Sequence, residues 1–161
     1  MKSGFSLILL LLFFVCSGNA QSSLPVKDHH DHYQNEIGVA NTAVYFLTDE
    51  ELAYGLRVHY ITRIEETKFG IGFGYKRIFD EQKHNTIGVI GSYRPIDPFS
   101  INLSPGITFE DRESKQMDFA LHIETIYEFE INDFHIDPAL EIAFDPQEVY
   151  LSFGIHIGYG F

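Results

Sequence analysis

From residue 36 to the C-terminus, apolar and polar side chains alternate with a period of two, the signature of half-buried strands. The last segment is the clearest. Val149, Leu151, Phe153, Ile155, Ile157, Tyr159 and Phe161 share one face; Tyr150, Ser152, Gly154, His156, Gly158 and Gly160 share the other. The same division runs through 52–64, 68–79, 99–110, 117–131 and 134–144, and more weakly through 36–46 and 86–94. These eight segments are joined by short polar links at 47–50, 65–67, 80–85, 95–98, 111–115, 132–133 and 145–148. Links of this length make antiparallel hairpins, because a parallel crossover needs a dozen or more residues. The pattern predicts an all-β protein, an eight-stranded antiparallel up-and-down barrel occupying 36–161.

Alternation alone does not say which face looks outward. The apolar face carries large side chains on every strand, more than the narrow interior of an eight-stranded barrel can hold. The opposite face is rich in Gly, Ala and Ser, which fit such an interior. Aromatic residues also gather toward strand ends. Tyr60, Phe69, Tyr93, Phe99, Tyr127, Phe129, Phe134, Tyr159 and Phe161 fall toward the end that holds the C-terminus. Tyr45, Phe79, Phe109, Phe119, Phe144 and Tyr150 fall toward the other. Two aromatic girdles around an aliphatic band are expected of a transmembrane β-barrel. The reverse orientation, a soluble secreted ligand-binding barrel, is the alternative this distribution disfavours.

The N-terminus has a different character. Lys2 precedes an apolar run from Phe5 to Val15, and Gly18-Asn19-Ala20 places small residues before Gln21. This is the layout of a secretory signal peptide over 1–20, implying Sec-type export and cleavage after Ala20. Lipidation of Cys16 is the competing outcome, which the bulky Phe13-Phe14-Val15 fits poorly. Residues 21–35 are polar and aperiodic and read as a flexible tail. After residue 20 no apolar run is long enough for a membrane-spanning helix.

The chain ends on Phe161, with Phe153, Ile155, Ile157 and Tyr159 at alternate positions before it. This resembles the membrane-insertion signal on the C-terminal strand of bacterial outer-membrane barrels. Together with the signal peptide and the strand pattern, the chain is similar to small eight-stranded outer-membrane proteins of the OmpX and OmpA-barrel type. That resemblance implies a monomer in the outer membrane of a Gram-negative cell, with lipid and the barrel-insertion machinery as partners. It departs from the family in its short outer links, which leave little room for a large protein-binding surface.

Composition now has a place. The 161 residues carry a formal charge of −12, with 23 Asp+Glu against 11 Lys+Arg. An acidic chain is a poor partner for nucleic acid, which needs a basic face. A single Cys excludes a disulfide framework and a cysteine zinc site. By parity Arg57, His59, Arg63, Lys76, Asp118, His122, Glu124, Glu128, His135, Asp137, Glu141 and His156 face the lumen. The simplest expectation is a plug of ion pairs. The inward carboxylates outnumber the inward Arg and Lys, however, and imidazole beside carboxylate suits zinc, copper or nickel. His122, Glu124 and His156 are the lumen candidates for such an ion. A second metal candidate is the tail segment Asp28-His29-His30-Asp31-His32, whose donors are dense enough to chelate without a fold.

Catalysis has weaker support. A lipid-modifying barrel enzyme would need Ser and His together at one rim. Ser152 and His156 share a face but stand roughly 13 Å apart along one strand. Gly70, Gly72 and Gly74 recur at period two and read as lumen packing, not as a phosphate loop. No resident cofactor is expected, a captured divalent metal aside.

Overall fold

The computed structural model describes residues 33–161 apart from 82, 111–116 and 147. The signal segment 1–20 and the tail motif Asp28–His32 lie outside the described residues. Eight long strands are present: β1 (Asn35–Phe46), β2 (Leu52–Arg63), β3 (Phe69–Phe79), β4 (His84–Ile96), β5 (Phe99–Glu110), β6 (Met117–Tyr127), β8 (Phe134–Phe144) and β9 (Val149–Gly160). A two-residue rung, β7 (Glu130–Ile131), precedes β8. β1 to β6 pair antiparallel in sequence order, and β8 pairs antiparallel with β9. Two further ladders, β1 with β9 and β6 with β8, leave no free edge among the long strands. The sheet is therefore a closed up-and-down barrel, which removes the hazard of unpaired edge groups.

Two segments differ from the simple periodic expectation. The alternation over 117–131 is broken: β6 stops at Tyr127, and Glu130–Ile131 folds back on Phe134 and His135. The β7 pair forms a separate rung at the barrel rim, with Glu130 and Ile131 exposed. Conversely β4 runs from His84 to Ile96, so both flanking links are shorter than the pattern suggests.

The outer wall is the apolar face. Ile71, Phe73, Val89, Phe119 and Phe153 are each more than half exposed. In water such a coat would be prohibitive; in a bilayer it faces its own solvent. Asn41 and Asn35 interrupt it, Asn85 is buried beside it, and each is met by a neighbouring tyrosine. Tyr54, Tyr60 and Tyr75 donate hydroxyl hydrogen bonds to the Oδ1 atoms of Asn41 (2.5 Å), Asn35 (2.7 Å) and Asn85 (2.6 Å). An amide carbonyl facing hydrocarbon without a donor would cost several kcal/mol, roughly 4–8 on a cyclohexane scale.

The inner wall needs small residues where strands crowd. A methyl group on Gly154 would lie 1.9 Å from the Asn41 carbonyl oxygen, and one on Gly72 would lie 2.1 Å from that of Tyr60. Both are contacts with rigid backbone, so these glycines permit the sharp coiling that closes a barrel this narrow. One end, called lower here, holds the C-terminus and the start of β1. There the Tyr33 ring lies across Gly160, and its hydroxyl donates to Asp133 Oδ1 at 2.5 Å. That hydrogen bond to a carboxylate pushes the phenol up to about 12.

Candidate functional site

The described inward side chains stand in three layers along the lumen. The upper layer is apolar: Val44, Phe46, Ile78, Ala143 and Tyr150 form one buried cluster. Tyr150 is a correction to the girdle expectation. It is 3% exposed and points inward, its ring edge-on to Phe46 at 5.4 Å between centroids. The parity of β9 already places it on the Ser152–His156 face, and parity outweighs proximity to a strand end. The Lys76 ammonium sits 4.7 Å from the Tyr150 ring centroid, the transition to the charged layer below.

The middle layer sets two cations against two anions. Arg57 and Lys76 are direct ladder partners on β2 and β3; Glu124 and Glu141 are direct partners on β6 and β8. Like charges side by side on one sheet repel. Across the lumen they neutralise each other. Arg57 Nη1 lies 3.0 Å from Glu124 Oε2 and 3.1 Å from Glu141 Oε2, while Nη2 donates to Ser104 Oγ at 3.0 Å. Lys76 pairs closely with Glu141 and donates to Ser152 Oγ at 3.0 Å. Asn102 Nδ2 donates to Glu124 Oε2 at 3.0 Å, and His122 Nδ1 stands 3.4 Å from Glu141 Oε1. All of these residues are buried. Asp118 lies higher on β6, half-buried and opposite Thr108.

The lower layer combines an ion-pair cluster with a group of imidazoles. Arg94 pairs closely with Glu128, whose other oxygen accepts from Ser100 Oγ at 2.5 Å. Arg63 Nη2 reaches Glu36 Oε2 at 3.1 Å and Glu128 Oε1 at 3.8 Å. Above them His59 and His156 stack with their ring centroids 4.9 Å apart and their planes 12° from parallel. Asp137 Oδ2 accepts hydrogen bonds from two rings, His156 Nδ1 at 3.0 Å and His135 Nδ1 more closely. Glu36 Oε1 is 3.3 Å from His59 Nε2.

Placement by parity and placement by contact differ here. Asp118 apart, the lumen residues singled out by parity are not one network but two groups at different heights. His122 and Glu124 belong to the middle layer, and His156 belongs to the lower one with Asp137. Glu36 and Arg94, both buried, complete the lower group. They lie at the ends of the weakly periodic segments 36–46 and 86–94, where the inward parity of β1 and β4 was the signal to follow. Ser152 is held by Lys76 and lies 3.4 Å from Glu141, while His156 is bonded to Asp137. The two residues required of a lipid-modifying dyad therefore serve different partners.

Outside the lumen, a lower-rim hollow of about 460 Å³ lies between the β2–β3 and β4–β5 turns. Its walls mix Arg63, Lys68 and Arg94 with Glu65, Glu66 and Asp97, so no single charge prevails. At the upper rim His84 Nδ1 meets Asp80 Oδ2 at 2.5 Å. Burial opposes ionisation of Asp80, but the hydrogen bond and charge of His84 outweigh it and hold the carboxyl below its usual range.

No protein-family model matches the chain, and no curated protein matches its sequence. Several solved structures do match in fold. Neisserial surface protein A aligns at 12% identity and a TM-score of 0.59, covering 79% of this chain and 96% of its own. Ail, the attachment invasion locus protein of Yersinia pestis, aligns at 15% identity and 0.57 in its complex with the heparin analogue sucrose octasulfate, covering 81% and 99%. The N-terminal barrel domain of Pseudomonas aeruginosa OprF aligns at 13% and 0.50, covering 80% and 99%. At these identities the likeness concerns architecture alone. A closed eight-stranded antiparallel barrel with an apolar coat and a polar interior has the fold of the small outer-membrane β-barrels.

Proposed function

We propose that the protein is a non-enzymatic resident of the outer membrane, a monomeric barrel whose lumen is plugged against conduction. The observation that carries this reading is the layered filling of the interior, above all the Arg57–Glu124–Glu141–Lys76 layer beneath the apolar Val44–Phe46–Ile78–Tyr150 cluster. An ion crossing from above meets the apolar cluster, and from either side it would have to break apart the paired charges of the middle layer to pass. The export segment at 1–20 and the Phe153–Phe161 pattern support delivery by a Sec-type route and insertion by the barrel-assembly machinery. Purified protein in planar lipid bilayers is expected to show no unitary current steps. Regular steps from the wild-type protein would end the plugged-lumen reading.

The tail adds a second activity. Eight long strands bring the start of β1 and the end of β9 to one side, which is the periplasmic side in barrels with short turns there. Asp28, His29, His30, Asp31 and His32 would then take up divalent metal such as zinc from the periplasm. The mature chain is expected to bind more zinc equivalents than a His29→Ala, His30→Ala, His32→Ala variant, by equilibrium dialysis. Equal stoichiometry in the two proteins removes the tail from the account.

A further inference from the structure

We infer that the lower lumen holds a specific site for a divalent transition-metal ion, built from Glu36, His135 and His156 and positioned by Asp137. One donor atom from each of the three lies within 4.8 Å of the others, and all three residues are buried. Hydrogen bonds to Asp137 hold both rings in place beside Glu36. Asp137 Oδ2 accepts from Nδ1 of both His135 and His156, which fixes the proton of each neutral ring on Nδ1. Each Nε2 is then left with its lone pair. A carboxylate behind two imidazoles is the arrangement that orients histidine ligands in metal proteins.

Two further observations point to a ligand. His156 is wholly buried, yet its Nε2 has no hydrogen-bond partner. A buried acceptor left in this way costs about 1–3 kcal/mol, which a metal bond would relieve. Glycine on the facing strands makes room for the ring edges that carry Nε2. A methyl on Gly38 would lie 2.3 Å from His156 Nε2, and one on Gly158 would lie 1.9 Å from His135 Nε2. Access comes from the lower mouth, where Glu36 and His135 line a small depression with Arg63, Glu128 and Gly160. Arg63 at 3.1 Å and His59 at 3.3 Å hold the Glu36 carboxylate in place meanwhile. Two imidazoles and one carboxylate suit zinc and its first-row neighbours, and they are a poor site for calcium or magnesium.

The site is independent of the tail, so it is tested in the full mature chain carrying His29→Ala, His30→Ala and His32→Ala. Folding of every variant is checked by gel mobility before and after heating. Titrated in detergent micelles with zinc against a chromophoric chelator, this protein is expected to bind one equivalent. Cobalt in its place is expected to give the visible d–d absorption of a low-coordinate N/O site. Asp137→Asn, which leaves all three ligands, is expected to weaken binding roughly 10- to 100-fold. His135→Gln, at the more open mouth, is expected to weaken it further. Absence of a stoichiometric zinc equivalent in the tail-substituted protein overturns the proposal. So does an affinity that neither folded variant changes. Neither result touches the conductance reading, which the bilayer recording decides separately.

Discussion

Replacing Arg57 with Ala is expected to destabilise the folded barrel by about 3–5 kcal/mol, the cost of breaking a buried charge pair by removing one partner. Arg57 touches Glu124 and Glu141 at once, and its second nitrogen holds Ser104. Without it, Glu141 keeps Lys76, His122 and Ser152, while Glu124 keeps only the Asn102 amide among the contacts described above. Two neighbouring carboxylates on β6 and β8 would then repel in a space that water enters poorly. Urea unfolding in lipid vesicles, followed by the shift between folded and unfolded gel bands, measures the loss. The companion variant Arg57→Met with Glu124→Gln removes the charge and one of its partners together, and it should recover a substantial part of the stability. If Arg57→Ala unfolds at the wild-type urea concentration, the middle layer does not hold the barrel together.

How far such a layer can be read from sequence is instructive. Parity is local, and it places Arg57, Lys76, Glu124 and Glu141 on the inner wall from their neighbours alone. The barrel itself is legible for the same reason: short links force hairpins, and an apolar face too bulky for a narrow interior must look outward. Height within the lumen is not local. It depends on the stagger of the strands, set by ladder pairs such as Arg57 with Lys76 and Glu124 with Glu141. Residues 67 apart in sequence, such as Arg57 and Glu124, meet only once that stagger is fixed. This is why His122, Glu124 and His156 look like one group by parity and prove to be two by contact. The imidazole cluster was hidden for a second reason. Its key carboxylate, Glu36, is the first inward residue of β1, at a point where alternation has barely begun. The glycines that make room for its rings, Gly38 and Gly158, carry no chemical signal of their own. The break after Tyr127 was equally opaque, because Phe129 and Ile131 continue the period of two while their backbone leaves the ladder.

An arginine at the middle of the outer wall should expose the membrane as the barrel's solvent. Ile155 lies midway along β9, 46% exposed, opposite Asn41 on one side and Pro138 on the other. In water, Ile155→Arg on such a surface would be nearly neutral, since substitutions away from packed features usually fall within about 0.5 kcal/mol. In a bilayer the same change is expected to cost about 2–4 kcal/mol, because the guanidinium sits at the depth where hydrocarbon is thickest. Leu52→Arg provides the internal comparison. Leu52 is more exposed, at 70%, but it opens β2 at the upper rim, where the cost falls to about 0–1 kcal/mol. A soluble barrel would rank the two substitutions by exposure or not at all. A membrane barrel ranks them by depth, with the less exposed residue the more damaging. Equilibrium unfolding of both variants in vesicles of one lipid gives the two values directly. The depth dependence also constrains register. Slipping β9 by one residue against β1 and β8 would turn His156 into lipid and Ile155 into the lumen, exchanging a satisfied Asp137 contact for an unpaired imidazole in hydrocarbon. The penalty that Ile155→Arg measures is therefore the same force that keeps the inner histidines in place. A near-neutral result at position 155 would remove both the membrane assignment and the reason for the register.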